Sequence, residues 1–299
     1  MLVRGVILML LASGCFAVMN TLVALGGQTL PAIELVFLRN VFGLVVCLPL
    51  LPRVLPAILR SSNHGLYLLR ALVSFSAMLI WFWSLNQLPL AEAVSLSFTL
   101  PLFVIAGAAL FLGEAVGPRR WVATAVGFVG VLVILRPGFI PVSLASVAVV
   151  FSTALMAAAV LMVKNLSNTE APLVIVLYLL LIMLPVSGVA SIPVWVTPSP
   201  KVWLLMVGLG VFATVAQWLF TTAMRGRDVS ILAPLDFFRL PFTALLAYWI
   251  FDQLPSFWTW LGAAIIVAAN LYIVRREAKL ARERQQSPPA PAGAEPGSC

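Results

Sequence analysis

The sequence predicts an all-α membrane protein of ten transmembrane helices arranged as two inverted five-helix repeats. Three observations carry this expectation: apolar runs of spanning length that succeed one another along nearly the whole chain, a lopsided distribution of cations among the connections, and a pattern that recurs at a fixed offset. Hydrophobic residues make up 62% of the 299 positions and charged residues 9%. A soluble domain holds roughly half apolar and a quarter charged residues, so a water-soluble globule is excluded. The formal charge of +8 does not point to nucleic acid, because the basic residues stand singly or in pairs at the ends of apolar runs and form no stripe.

About 20 predominantly apolar residues are needed to cross a hydrocarbon core of roughly 30 Å. Runs of that kind, bounded by charge, Pro or Gly clusters, occupy 5–25, 32–51, 66–87, 90–112, 120–136, 143–163, 172–192, 201–223, 229–251 and 257–274. The first reads as a span and not as a cleaved signal peptide, since no small-residue cleavage site followed by a soluble domain comes after it. Beyond the last span, Arg275, Arg276, Lys279, Arg282 and Arg284 precede a Ser-Pro-Pro-Ala-Pro-Ala-Gly stretch, which reads as a frayed basic helix end followed by a disordered tail over 277–299.

Assigning successive connections to alternate sides sorts the cations. One side receives Arg4, Arg53, Arg60, Arg70, Arg119, Arg120, Lys164, Arg225, Arg227 and the basic tail, while the other receives Arg136 and Lys201. Lys and Arg near span ends are retained on the cytoplasmic side, so both termini are expected there, which requires an even number of spans.

The halves repeat. Ser95 leads through Pro101 to Leu112-Gly113-Glu114, Pro118, Trp121 and a span ending at Arg136; Ser230 leads through Pro234 and Pro241 to Ile250-Phe251-Asp252, Pro255, Trp258 and a span ending at Arg275. Setting Glu114 on Asp252 gives an offset of 138, and divides the chain into repeats over 1–138 and 139–276. Because five is odd, the second copy enters the membrane from the opposite side. Inverted repeats of this kind underlie many secondary transporters, with the substrate near the midplane between the halves.

The segment Leu88-Pro-Leu-Ala-Glu-Ala-Val-Ser-Leu-Ser-Phe-Thr-Leu-Pro101, followed by Leu110-Phe-Leu-Gly-Glu114 and Gly127-Phe-Val-Gly130, resembles the EamA branch of the drug/metabolite transporter superfamily, as does Asp236-Phe-Phe-Arg-Leu-Pro241 with Asp252-Gln-Leu-Pro255. The resemblance covers all but the tail. It implies ten spans in two inverted halves around a central cavity, in a bacterial inner membrane, with efflux of amino-acid-like, zwitterionic or metallophore-like compounds. Uptake or exchange of a nucleoside-like cofactor such as S-adenosylmethionine or riboflavin is the alternative. One departure is Asp252, where the family has a Gly-Glu pair and Phe251 replaces the Gly.

A charged side chain at the centre of a spanning helix costs about 3 kcal/mol on insertion scales, so mid-depth charges are the first site candidates. Arg39, followed by Asn40, lies near the middle of the second span, and Asp236 and Arg239 near the middle of the ninth. Asp236 and Arg239 are three apart and can neutralise each other structurally or line a cavity. Arg39 has no acid at helical spacing in its own span; it either pairs with Glu92, Asp236 or a carbonyl of another helix, or binds a substrate carboxylate or phosphate. Glu92 opens the fourth span beside Ser95, Ser97 and Thr99, either as a solvated acid at a helix N-terminus or as a proton-carrying group. Pro101, Pro234 and Pro241 leave carbonyls unpaired and mark hinge candidates.

Trp81, Trp83, Asn86, Tyr178, Gln217, Trp218 and Asn270 are candidates for a polar-aromatic pocket. Trp195, Trp203, Trp258 and Trp260 suit an interfacial belt better, and Asn20 and Asn270 serve equally as interhelical hydrogen bonds. The single histidine, His64, falls in a connection without a nucleophile or acid cluster, and Cys15, Cys47 and Cys299 have no metal or disulfide spacing. Catalysis, bound cofactors and metal are therefore not expected; the expected partners are a small molecule, membrane lipid and a proton or solute gradient. A channel lacks its rings of charge or filter segments, and a scaffold would need neither Arg39 nor Asp236.

Overall fold

The computed structural model describes residues 2–111, 118–136, 143–166, 170–224 and 238–286. Every regular element among them is helical: α1 (Leu2–Gly26), α2 (Ala32–Cys47), α3 (Leu51–Arg60), α4 (His64–Leu85), α5 (Leu90–Ser97), α6 (Leu100–Phe111), α7 (Pro118–Leu135), α8 (Leu144–Leu166), α9 (Pro172–Ser191), α10 (Pro200–Met224), α11 (Arg239–Phe251) and α12 (Phe257–Gln286). Seven helices are long and apolar enough to cross a membrane, and three shorter apolar ones, Trp121–Leu135, Arg239–Phe251 and Phe257–Tyr272, fall in the remaining expected spans. Large apolar side chains face outward, with Leu204 73% and Trp249 71% exposed. Such a surface suits hydrocarbon and not water.

Serines open three of the helices. Ser146 N donates to Ser143 Oγ at 3.0 Å and Thr259 N to Ser256 Oγ at 3.1 Å, with a longer bond of 3.5 Å from Val202 N to Ser199 Oγ. Each satisfies a donor that the first turn leaves without an intrahelical partner. At the other end of α11, Asp252 takes φ 53° and its N–H reaches Tyr248 O at 3.0 Å. Aspartate tolerates this left-handed conformation, so the turn forms without a glycine.

Two spans, the second and the last, differ from their expected outlines, and the fourth breaks beside its proline. The second continues through a 3₁₀ turn, Leu48–Leu50, into α3, where a connection is expected from the Pro and Arg residues. Val54 and Ile58, four apart, bury one stripe of α3 against Val174, Leu177 and Leu180 of α9, and Pro52 sits in the first turn where no donor is needed. The fourth span is interrupted between α5 and α6, at Phe98 and Thr99, just before Pro101. The last helix runs on to Gln286 through the basic segment expected to fray.

The helix pairs obey the 138-residue shift. It carries α1 onto α8, α2 onto α9, α4 onto α10, α6 onto α11 and α7 onto the membrane part of α12. The α1/α10 pair has its counterpart in α8/α4, α1/α11 in α8/α6, and α2/α10 in α9/α4; α2/α9 and α7/α12 map onto themselves. That is the signature of a pseudo-two-fold relation between two five-span units, and it brings the halves together along every one of these seams. Small residues let the seams close. At the α7/α12 crossing a Cβ on Gly130 would meet the Gly262 carbonyl oxygen at 2.8 Å, and one on Gly262 would meet the Gly130 oxygen at 2.6 Å.

Candidate substrate site

Arg39 is the eighth residue of α2, and Asn40 follows it into the interior with no exposed surface. The guanidinium donates from Nη1 to Asn40 Oδ1 at 3.1 Å, Asn40 Nδ2 reaches Ser187 Oγ at 3.5 Å, and Ser187 donates to Met183 O at 2.6 Å. This relay runs from α2 of the first repeat to α9 of the second and orients the amide so that its oxygen faces the cation. Arg39 is half-buried, and among the described residues no carboxylate reaches it. Glu34, five residues earlier, instead accepts from Val196 N at 3.0 Å in the α9/α10 connection. A guanidinium carries five N–H donors, and the ones not facing Asn40 can be offered to an acceptor on a solute.

Arg239, half-buried at the start of α11, lies with Cζ 4.4 Å from the ring centroid of Phe16 on α1. Phe16 meets Phe220 of α10 edge to face, with centroids 6.3 Å apart. The stacking attracts a cation to the ring face and joins α11, α1 and α10 around it. Asp236 and Pro234 lie outside the described residues. Pro241 is exposed in the first turn of α11.

The other expected site residues are distributed among several seams. Trp81 Nε1 donates to Asn20 Oδ1 at 3.4 Å, tying α4 to α1. Glu92 is half-buried in α5 and accepts from Ser146 Oγ of α8 at 3.4 Å, so it is held by another helix and is not simply solvated. The hydroxyl of Ser95 donates to Ala91 O at 2.7 Å within its own helix and has no exposed surface, and Gln217 is half-buried on α10. Asn270 is an interhelical hydrogen bond, from Nδ2 to Phe98 O at 2.9 Å.

Tyr178 belongs to a cluster that the sequence reading missed. Its ring stacks on Tyr67 with centroids 4.1 Å apart and planes 1° apart, and its hydroxyl lies 2.5 Å from His64 Nδ1. Beside them Arg70 Nη1 donates to Ile175 O at 3.0 Å, and Ser61 Oγ to Glu170 Oε1 at 2.5 Å. Arg70, expected near a span end facing water, is only 8% exposed. Tyr67 and Trp81 are fourteen residues apart on α4, roughly 21 Å of helix rise, so Tyr178 and Trp81 do not share one pocket. His64, Tyr67 and Arg70 fall at i, i+3 and i+6, a one-face spacing that was the available signal.

Helices of spanning length in two interlocked repeats, with the Arg39–Asn40–Ser187 relay crossing the seam between them, have the architecture of the inverted-repeat class of membrane transporters. The chain belongs to the EamA-like transporter family, which matches residues 3–136 and again 143–275. It is 34% identical over 287 residues to the riboflavin transporter of Vibrio cholerae, covering 94% of this chain and 96% of that one. It is 31% identical over 256 residues to the S-adenosylmethionine uptake transporter of Rickettsia bellii, covering 85% and 87%. It is 30% identical over 281 residues to the pseudopaline exporter CntI of Pseudomonas aeruginosa, covering 92% and 97%. The family and these relatives bear out the resemblance seen in the segments around Pro101 and Pro241, and with it transport of a small metabolite in place of catalysis.

Proposed function

We propose that the protein is a secondary carrier of the bacterial cytoplasmic membrane, with both termini cytoplasmic, for a riboflavin-like metabolite: flat, conjugated, rich in hydrogen-bond acceptors and without net positive charge. The observation that carries the substrate class is Arg39, a half-buried guanidinium within a spanning helix whose described partner is a neutral amide. In a poorly solvated interior such a group attracts carbonyl, carboxylate or phosphate oxygen and repels a net cation. Riboflavin offers imide carbonyls and no net charge. S-adenosylmethionine, with an ammonium and a sulfonium against one carboxylate, is net positive and fits less well. The likeness to riboflavin transporters over nearly the whole chain supports the same substrate.

A second function, export of zwitterionic or metallophore-like compounds, is supported by the likeness to the pseudopaline exporter and by the aptitude of a guanidinium for carboxylates. Thermal unfolding of the purified protein with riboflavin, S-adenosylmethionine or methionine separates these substrates. A ligand that binds only the folded form at 100 times its dissociation constant stabilises it by about 2.7 kcal/mol. Riboflavin is expected to raise the melting temperature, and Arg39→Gln to abolish the shift. A shift with methionine alone favours the export function, and one with S-adenosylmethionine alone overturns the charge assignment.

A further inference from the structure

We propose that the stacked rings of Tyr67 and Tyr178 form a gate at one end of the transport path, shut in this structure, whose parting presents the Tyr67 hydroxyl and the Arg70 guanidinium to acceptor groups on a passing solute. The proposal rests on the carrier function proposed above. It concerns the end at which α4 and α9 begin, the end that also carries the exposed Arg53 and Arg60 of α3.

Position comes first. α4 belongs to the first repeat and α9 to the second, so the stack bridges units that must separate at one end for a solute to pass. Behind the rings, Tyr67, Leu166 and Ile175 are each at most 3% exposed, and Leu66, Val163 and Ile182 pack against them. Together they plug the space between α4, the end of α8 and α9. Around the plug, His64 holds the Tyr178 hydroxyl, Arg70 holds the Ile175 carbonyl and Ser61 holds Glu170. No covalent bond joins the two sides of the stack, and two parallel ring faces can part without unthreading.

Chemistry supplies the second and independent observation. Tyr67 Oη and Arg70 Nε are buried and have no hydrogen-bond partner among the described residues. Buried donors in a permanent contact are almost always satisfied, because leaving one unmade forfeits its hydration with nothing in exchange. Here two stand side by side, one turn apart on the face that meets α9. These are the groups that an acceptor on a solute would satisfy once the rings part.

The test uses full-length protein in proteoliposomes, with Cys15, Cys47 and Cys299 replaced by Ser and a reporter placed by Ile175→Cys, modified by a membrane-impermeant maleimide. Modification is expected to be slow, at least tenfold faster from the face carrying Arg53 and Arg60 after Tyr178→Leu, and slow again in Tyr178→Phe, which keeps the ring. Gel filtration confirms that each variant is folded, and Tyr67→Leu replaces Tyr178→Leu if the latter aggregates. In a second arm, Tyr67→Cys with Tyr178→Cys bridged by a short bifunctional thiol reagent should arrest riboflavin counterflow that the unbridged pair supports. Equal labelling rates with and without the stack, or counterflow continuing through the bridged pair, overturn the gate. If the parent protein does not exchange riboflavin, the substrate proposal fails and the labelling rates alone decide the gate.

Discussion

Asn270 of α12 donates from Nδ2 to the backbone carbonyl of Phe98, 2.9 Å away, across the break between α5 and α6. Pro101 has no N–H to continue the ladder, and Leu102 N turns instead to Thr99 O at 2.9 Å. Inside the membrane water is not at hand to replace this bond to the Phe98 carbonyl. Thr99 Oγ1, bonded to Leu96 O at 2.8 Å, helps to stabilise the same interruption.

Asn270→Leu should therefore lower stability by about 1 kcal/mol, within the range for interhelical hydrogen bonds in membranes and for a stranded carbonyl. Thermal unfolding in detergent measures it, and an unchanged melting temperature would show that the carbonyl finds another donor.

Pro101→Ala restores a donor for the Ser97 carbonyl and makes the α5/α6 join more continuous. The expected result is a melting temperature a few degrees higher together with counterflow slowed several-fold, the pairing expected of a hinge. Faster counterflow, or no change in either quantity, removes Pro101 from that role.

At the α7/α12 crossing, Gly130→Ala and Gly262→Ala each drive a methyl group to within 2.8 Å or less of the opposing carbonyl oxygen. Each is expected to cost about 1–3 kcal/mol, as overpacking does. Gly65→Ala meets nothing within 4 Å and serves as the neutral control. The ordering of the three melting temperatures checks the closeness of the seam.

Repeat parity and the cation asymmetry together predict that tags at the two termini report from the same face of the membrane. Protease protection in oriented vesicles reads this directly. Tags on opposite faces would break the five-plus-five assignment.

Much of the fold was legible because its signals are local and redundant. Run length gave the spans, and the acid–Pro–Trp pattern around Glu114 and Asp252 gave the offset that the helix pairs obey. The Pro101 break was legible for the same reason, since a missing N–H acts at its own position. The continuation into α3 was not, because Pro52, Arg53 and Pro56 punctuate like a connection while Val54 and Ile58 are held by α9, which sequence distance hides. The cluster around Tyr178 was hidden in a similar way. His64, Tyr67 and Arg70 share a face, but their partners lie more than a hundred residues away, and Arg70 looked like one more orientation signal at a span end. Arg39 stood out because an isolated charge in an apolar run is costly, whereas its Asn40 to Ser187 relay depends on how the two repeats pack.

The carrier account meets its most direct test in counterflow of labelled riboflavin by proteoliposomes containing the parent protein, Arg39→Lys or Arg39→Gln. It predicts exchange by the parent, a partial rate for Arg39→Lys, and at least a tenfold loss for Arg39→Gln with the melting temperature of the empty protein retained. Exchange by Arg39→Gln at the parent rate would contradict it.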